Sequence, residues 1–116
     1  MITNYMIIGY GWRADFYYRI AKLLPERFSV CAGVLRTEER AKEVAHKEGV
    51  FATSDLDQAL ERKPDFAVLC VPRDVTKDYL VKLMKKGIPV LCETPPGKNV
   101  EELKELWEMS QKYNGR

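Results

Sequence analysis

Short apolar runs alternate along this chain with longer stretches whose apolar residues recur at helical spacing. Residues 5–8 form a β-prone run that stops at Gly9. Ala14, Tyr17, Tyr18, Ala21 and Leu24, with Phe16, Ile20 and Leu23, then follow a helical period until Pro25. Residues 28–35 predict a second strand. Thr37 can cap the helix after it, with Ala41, Val44, Ala45 and Glu48 along one side and Gly49 as the stop. A short strand near 50–52 comes next. Ser54 and Asp57 have capping-box spacing ahead of a helix carrying Leu56, Ala59 and Leu60. The strongest strand, 66–71, is unbroken apolar, as expected where both faces of a parallel sheet are covered. Asp74 can cap a helix carrying Val75, Tyr79, Leu80, Leu83 and Met84, which Gly87 ends. Residues 88–92 predict a fifth strand, with Pro89 near its start. Asn99 and Glu102 open a last helix with Val100, Leu103, Leu106, Trp107, Ser110 and Tyr113.

Strict strand–helix alternation calls for a parallel sheet joined by right-handed crossovers. The expected fold is a three-layer α/β sandwich, a Rossmann-type doubly wound sheet of order 3-2-1-4-5. Ligands of such sheets bind beyond the carboxyl ends of the strands, where the winding reverses between the first and fourth.

Composition narrows the function classes. The 116 residues suit one domain, taken here as residues 1–116. Apolar residues are 46% and charged residues 31%, a balance that favours a folded globular domain over disorder. A net charge of +2 gives no support for a nucleic-acid surface or a polybasic membrane anchor. The longest apolar run, 66–71, is far short of the roughly 20 residues that span a bilayer. No signal-peptide pattern opens the chain. Three widely spaced cysteines make neither a disulfide framework nor a zinc pattern, so a cytoplasmic location is expected.

Gly9-Tyr10-Gly11-Trp12-Arg13-Ala14 fits G-x-G-x-x-G/A between a strand and a helix, the context that gives this motif meaning. Gly9 permits the tight turn, Gly11 has no Cβ to block a pyrophosphate, and Ala14 allows close helix–strand packing. Backbone N–H groups and the positive helix end would receive the phosphates. The bland alternative is a turn that needs glycine for geometry alone. Trp12 adds bulk at the helix start. Arg13 can neutralise a phosphate or simply be exposed.

About 20 residues past such a loop, NAD-specific sites often place an acid on the ribose hydroxyls. Here the strand tip reads Val34-Leu35-Arg36-Thr37. Arg36 can pair with a 2′-phosphate or stack on adenine, and Thr37 can add a hydrogen bond. Alternatively, Arg36 is only solvated and Thr37 only a cap. The expected cofactor is NADP or NAD, with NADP slightly favoured.

In the second half, Pro64-Asp65-Phe66-Ala67-Val68-Leu69-Cys70-Val71-Pro72 is followed by Gly87-Ile88-Pro89-Val90-Leu91-Cys92-Glu93-Thr94-Pro95. With the glycine loop, this resembles the glucose–fructose oxidoreductase/inositol dehydrogenase (Gfo/Idh/MocA) family over essentially the whole chain. The resemblance implies an N-terminal NAD(P)-binding domain of an oxidoreductase acting on a sugar- or polyol-like substrate. It also implies a larger C-terminal substrate domain, absent from these residues, so a fragment is expected, with contacts to that domain or to a second copy; a natural stand-alone domain is the alternative. Its implied cofactor site adds Val71, Pro72, Thr76, Glu93 and Thr94 to the loop and to Leu35, Arg36 and Thr37. Two positions depart from the family pattern. Thr94 replaces the lysine of Glu-Lys-Pro, and Thr76 stands where a histidine is frequent. A threonine hydroxyl hydrogen-bonds but supplies no ammonium charge. Thr94 is nevertheless the best position for a catalytic or substrate-side contact. Glu93 can orient the cofactor amide or cap its loop. A nucleotide-binding sensor or scaffold without turnover is the alternative function.

Other residues have ordinary explanations. His46 lies in a charged helix, and no metal cluster accompanies it. Cys31, Cys70 and Cys92 fall in strands as small apolar residues. Lys82, Lys85 and Lys86 suit the end of a helix. Trp107 and Tyr113 read as packing residues.

Overall fold

Five strands and five helices alternate in the computed structural model, which describes residues 1–92 and 99–113. The elements are β1 (Thr3–Ile8), α1 (Trp12–Leu23), β2 (Phe28–Val34), α2 (Glu38–Glu48), β3 (Ala52–Thr53), α3 (Leu56–Leu60), β4 (Phe66–Leu69), α4 (Arg73–Lys85), β5 (Val90–Cys92) and α5 (Val100–Tyr113). All pairings are parallel, in the order β3-β2-β1-β4-β5, as the alternation predicts. β1 is central. It pairs in register with β4 from Tyr5↔Phe66 to Ile8↔Leu69, while its pairing with β2 shifts by one residue after Tyr5.

The side-chain alternation of β1 divides the core into two layers. Tyr5 and Ile7 pack with Ala14 and Tyr18 of α1, Ala41 and Val44 of α2, and Val68. Met6 and Ile8 pack with Ala59 of α3, Leu80 and Leu83 of α4, and Leu106 of α5. A Lys77–Glu105 ion pair joins α4 to α5. In β4, Ala67, Val68 and Leu69 are all buried, which accounts for its unbroken apolar sequence.

Several helix ends follow the sequence. Thr37 caps α2, its Oγ1 accepting from the Arg40 amide at 3.2 Å, and Gly49 closes the helix in the left-handed conformation at φ 69°. Asn99 Oδ1 accepts from the Glu102 amide at 2.9 Å at the start of α5. Two expected caps move. Asp55, not Ser54, caps α3 by accepting from the Asp57 amide at 2.9 Å. Ser54 is taken by Glu38 Oε1, to which it donates its amide at 2.8 Å and its hydroxyl at 2.5 Å. Pro72 holds the cap position of α4, so Asp74 falls within the first turn, where its charge still favours the helix dipole.

The outer α1 residues Phe16, Ile20 and Leu23 and the following Leu24 are exposed, and within α1 only Ala14 and Tyr18 are buried. Trp107, expected to pack, is 65% exposed because Leu106 takes the inward position of α5. Among the described residues, no helix is long and apolar enough to cross a membrane.

Candidate cofactor cleft

The chain leaves β1 through a turn that only glycine can make. Gly9 has φ +105°, and a Cβ there would stand 2.1 Å from the Cys70 carbonyl oxygen. The loop thus lies directly against the end of β4, and the Gly9 amide donates to the Val34 carbonyl of β2 at 2.9 Å. Gly11 differs. Its backbone is extended, and a Cβ would meet nothing within 4 Å. A side chain there would intrude on open space in front of the first turn of α1. The amides of a first helical turn have no intrahelical acceptor, so that space suits an anion. Ala14 is fully buried beneath it, in contact distance of the β1 layer.

A cleft of about 570 Å³ opens at the carboxyl ends of β1, β2 and β4. Gly9, Tyr10, Leu35, Arg36, Val71 and Pro72, all positions that the sequence offers as cofactor contacts, line it. Arg40, Ser54, Val75 and Tyr79 also line it and were not anticipated as site residues. The sequence offered one signal: Arg40 falls in the first turn of the helix that Thr37 caps beside the strand tip. Arg40 also pairs with Glu43 at 2.8 Å. Thr37 serves as the α2 cap at the cleft's edge. Thr76 is buried, and its hydroxyl donates to the Pro72 carbonyl at 3.2 Å, fastening the start of α4.

A smaller hollow of about 270 Å³ lies between α1 and the ends of β4 and β5, lined by Arg13, Tyr17, Val68, Leu69, Cys70, Leu91 and Cys92. Cys70 borders both spaces. Trp12 is 70% exposed, with the Arg13 guanidinium 4.7 Å from its ring centroid. Glu93 and Thr94 lie outside the described residues. His46 is exposed on α2. Among the described residues, no cluster of His, Cys, Asp or Glu is placed to hold a metal.

Tyr10 turns its ring away from the loop and between α1 and α2. It meets Tyr18 edge-on at 5.7 Å and donates its hydroxyl to Glu48 Oε2 at 2.7 Å. Burial and then the neighbouring carboxylate raise the Tyr10 phenol above its ordinary pKa, so it remains the donor. Lys22 Nζ reaches the other Glu48 oxygen at 2.6 Å. Burial alone would raise the Glu48 carboxyl, but the bonds from Lys22 and Tyr10 outweigh it and hold the group below the usual carboxylate range.

Residues 3–116 match the Gfo/Idh/MocA family, described as an oxidoreductase family with an NAD-binding Rossmann fold. Scyllo-inositol 2-dehydrogenase (NADP(+)) of Bacillus subtilis is 34% identical over 107 residues, covering 90% of this chain and 32% of the relative. D-glucoside 3-dehydrogenase of Escherichia coli is 31% identical over 112 residues, covering 91% and 31% respectively. The WlbA dehydrogenase of Bordetella pertussis, solved with NADH and UDP-GlcNAcA, superposes with a TM-score of 0.85 at 16% identity, covering 98% of this chain and 34% of that one. The chain therefore spans about a third of the length of the relatives it matches.

Proposed function

Because the chain belongs to the Gfo/Idh/MocA oxidoreductases and matches their NAD-binding Rossmann domain, we propose that its 570 Å³ cleft holds NAD or NADP for a sugar or polyol dehydrogenase. The observation that carries this reading is the contrast between the two loop glycines. Gly9 is wedged against β4, whereas Gly11 faces empty space at the start of α1. A side chain at Gly11 would enter that open space, and its absence leaves the helix start accessible to a pyrophosphate.

The residues divide the work along the cleft. The backbone from Gly9 to Ala14 receives the phosphates, with Trp12 and Arg13 at the outer edge. Leu35, Val71 and Pro72 supply apolar walls for the adenosine half. Arg36 at the strand tip is the partner for a 2′-phosphate, and Arg40 beside it adds a second positive charge, which supports NADP over NAD. Thr37 and Thr76 act on this wall through the backbone, capping α2 and bracing α4. Glu93 and Thr94 follow β5 in sequence and are assigned to the nicotinamide and substrate end. When bound, the nicotinamide supplies redox chemistry at an alcohol or carbonyl carbon of the substrate. The substrate domain implied by the longer relatives would complete the site. Similarity to an inositol and a glucoside dehydrogenase supports the sugar- or polyol-like substrate class.

Titration calorimetry of the chain with NAD and NADP tests the cleft. Gly11→Val should weaken both by more than about tenfold, since it places a branched side chain where the phosphates approach, while the thermal transition stays unchanged. Wild-type affinity in folded Gly11→Val would refute the phosphate site.

A second reading is a nucleotide-binding sensor without turnover. It is favoured by Thr76, whose hydroxyl is committed to the Pro72 carbonyl at a position where the family frequently has histidine. Turnover of a sugar and polyol panel by the full-length protein decides between the two.

A further inference from the structure

Glu48 is in an unfavourable place for a carboxylate. It is the last residue of α2, where the helix dipole opposes negative charge, and its side chain is only 3% exposed. Both oxygens are engaged, one by Tyr10 and the other by Lys22 of α1. One carboxylate therefore ties the glycine loop to α1 and α2 together. The Tyr10 ring completes this anchor by packing edge-on against buried Tyr18. Tyr10 is the residue between the two loop glycines. Its side chain reaches Glu48 between the helices, and the residue also borders the cleft.

We propose that Glu48 is a positioning residue for the cofactor's pyrophosphate: by holding the Tyr10 hydroxyl, it fixes the backbone of Gly9-Tyr10-Gly11 in the geometry that receives the phosphates. This rests on the cofactor reading above. Gly9 is already wedged against β4, but Gly11 meets no neighbour and leaves the outer end of the loop conformationally loose, and ordering it on binding would cost affinity. The Glu48–Tyr10 bond imposes that order in advance, and Lys22 keeps the buried carboxylate charged.

The test uses three ligands, NAD, ADP-ribose and adenosine, of which only the first two carry a pyrophosphate. Tyr10→Phe and Glu48→Leu should each weaken NAD and ADP-ribose by about fivefold, the size of one net hydrogen bond. Adenosine, followed by NMR titration, should keep its affinity. Glu48→Gln retains an acceptor for the Tyr10 hydroxyl and should restore most of the loss. The Tyr10→Phe/Glu48→Leu double variant should be no weaker than either single one, because both remove the same link. Unchanged NAD affinity in Tyr10→Phe, or an equal loss for adenosine, would overturn the positioning role and leave the cofactor reading standing. A wild-type chain that binds none of the three ligands would overturn both.

Discussion

At the scale of single residues, Tyr18 carries the least expected cost in the core. It is 1% exposed, and its hydroxyl finds no partner among the described residues. The oxygen crowds β2, since a Cβ added at Gly33 would lie 2.5 Å from it. A buried hydroxyl without a hydrogen bond costs about 1–3 kcal/mol. Tyr18→Phe keeps the ring and should therefore stabilise the chain by about 1 kcal/mol, or about 4–8 °C in Tm. The same variant has a signature in alkali. Burial raises the Tyr18 phenol well above its ordinary value and pushes that of Tyr5 up to about 12. Both groups hold their protons more tightly in the folded chain than in the unfolded one, where tyrosine ionises near about 10. Their contribution is complete below that pH and is lost as pH rises through the folded values. The unfolding free energy should fall by about 1.4 kcal/mol per pH unit per phenol within this window. Urea titrations from pH 9 to 11.5 should show a shallower fall in Tyr18→Phe. A fall as steep as in the wild type would mean that Tyr18 does not contribute.

At the scale of elements, we propose that the junction of β2 and α2 sets the choice of cofactor. Arg36 ends the strand, Thr37 caps the helix, and Arg40 stands one turn along. Two cations thus face the cleft from a junction that lacks an acid at the strand tip. Arg36→Ala should weaken NADP more than NAD, by more than tenfold if a charge-assisted bond of roughly 1.5–3 kcal/mol is lost. Arg40→Ala should do less, because Glu43 already competes for that guanidinium. Equal losses of NAD and NADP in Arg36→Ala would assign the residue to adenine stacking instead. The same junction shows how an element's sequence can mislead. Ser54 has the spacing of a cap, but Glu38 at the start of α2 claims both its donors, and Asp55 caps α3 in its place.

At the scale of the whole molecule, the cleft is open. The hollow lined by Arg13, Tyr17 and Leu91 meets it at Cys70, just past β4, and Leu91 itself is 49% exposed. Relatives of about three times the length have further chain with which to close such a site. We expect the 116-residue chain to bind NAD(P) without turning over a substrate. A reacting carbon held from one side only forgoes orientation worth roughly 7–11 kcal/mol of the barrier. Incubating the chain with cofactor and a polyol panel, and following the absorbance of reduced nicotinamide, checks this. Sustained turnover that disappears in Thr94→Val would overturn it.

The strand order, the capping of α2 by Thr37 and Gly49, and the role of Gly9 were legible in the sequence. Each depends on neighbours along the chain: apolar periodicity, a hydroxyl three residues before the amide it accepts from, or a turn that needs positive φ. Most of the cleft was legible for the same reason, because a doubly wound sheet brings its strand ends together in a predictable place. The Tyr10–Glu48–Lys22 link was not legible, although Glu48 was already placed on the correct face of α2. Its partners lie 38 and 26 residues away, and only the packing of α1 against α2 brings them within reach. Nor did the pattern predict that Thr76 would turn onto Pro72, or that Arg40, Val75 and Tyr79 would line the cleft. Local sequence determines which residues can cap, turn or pair. Tertiary packing selects among those options, because a polar group that becomes buried must bond to whatever the fold places beside it.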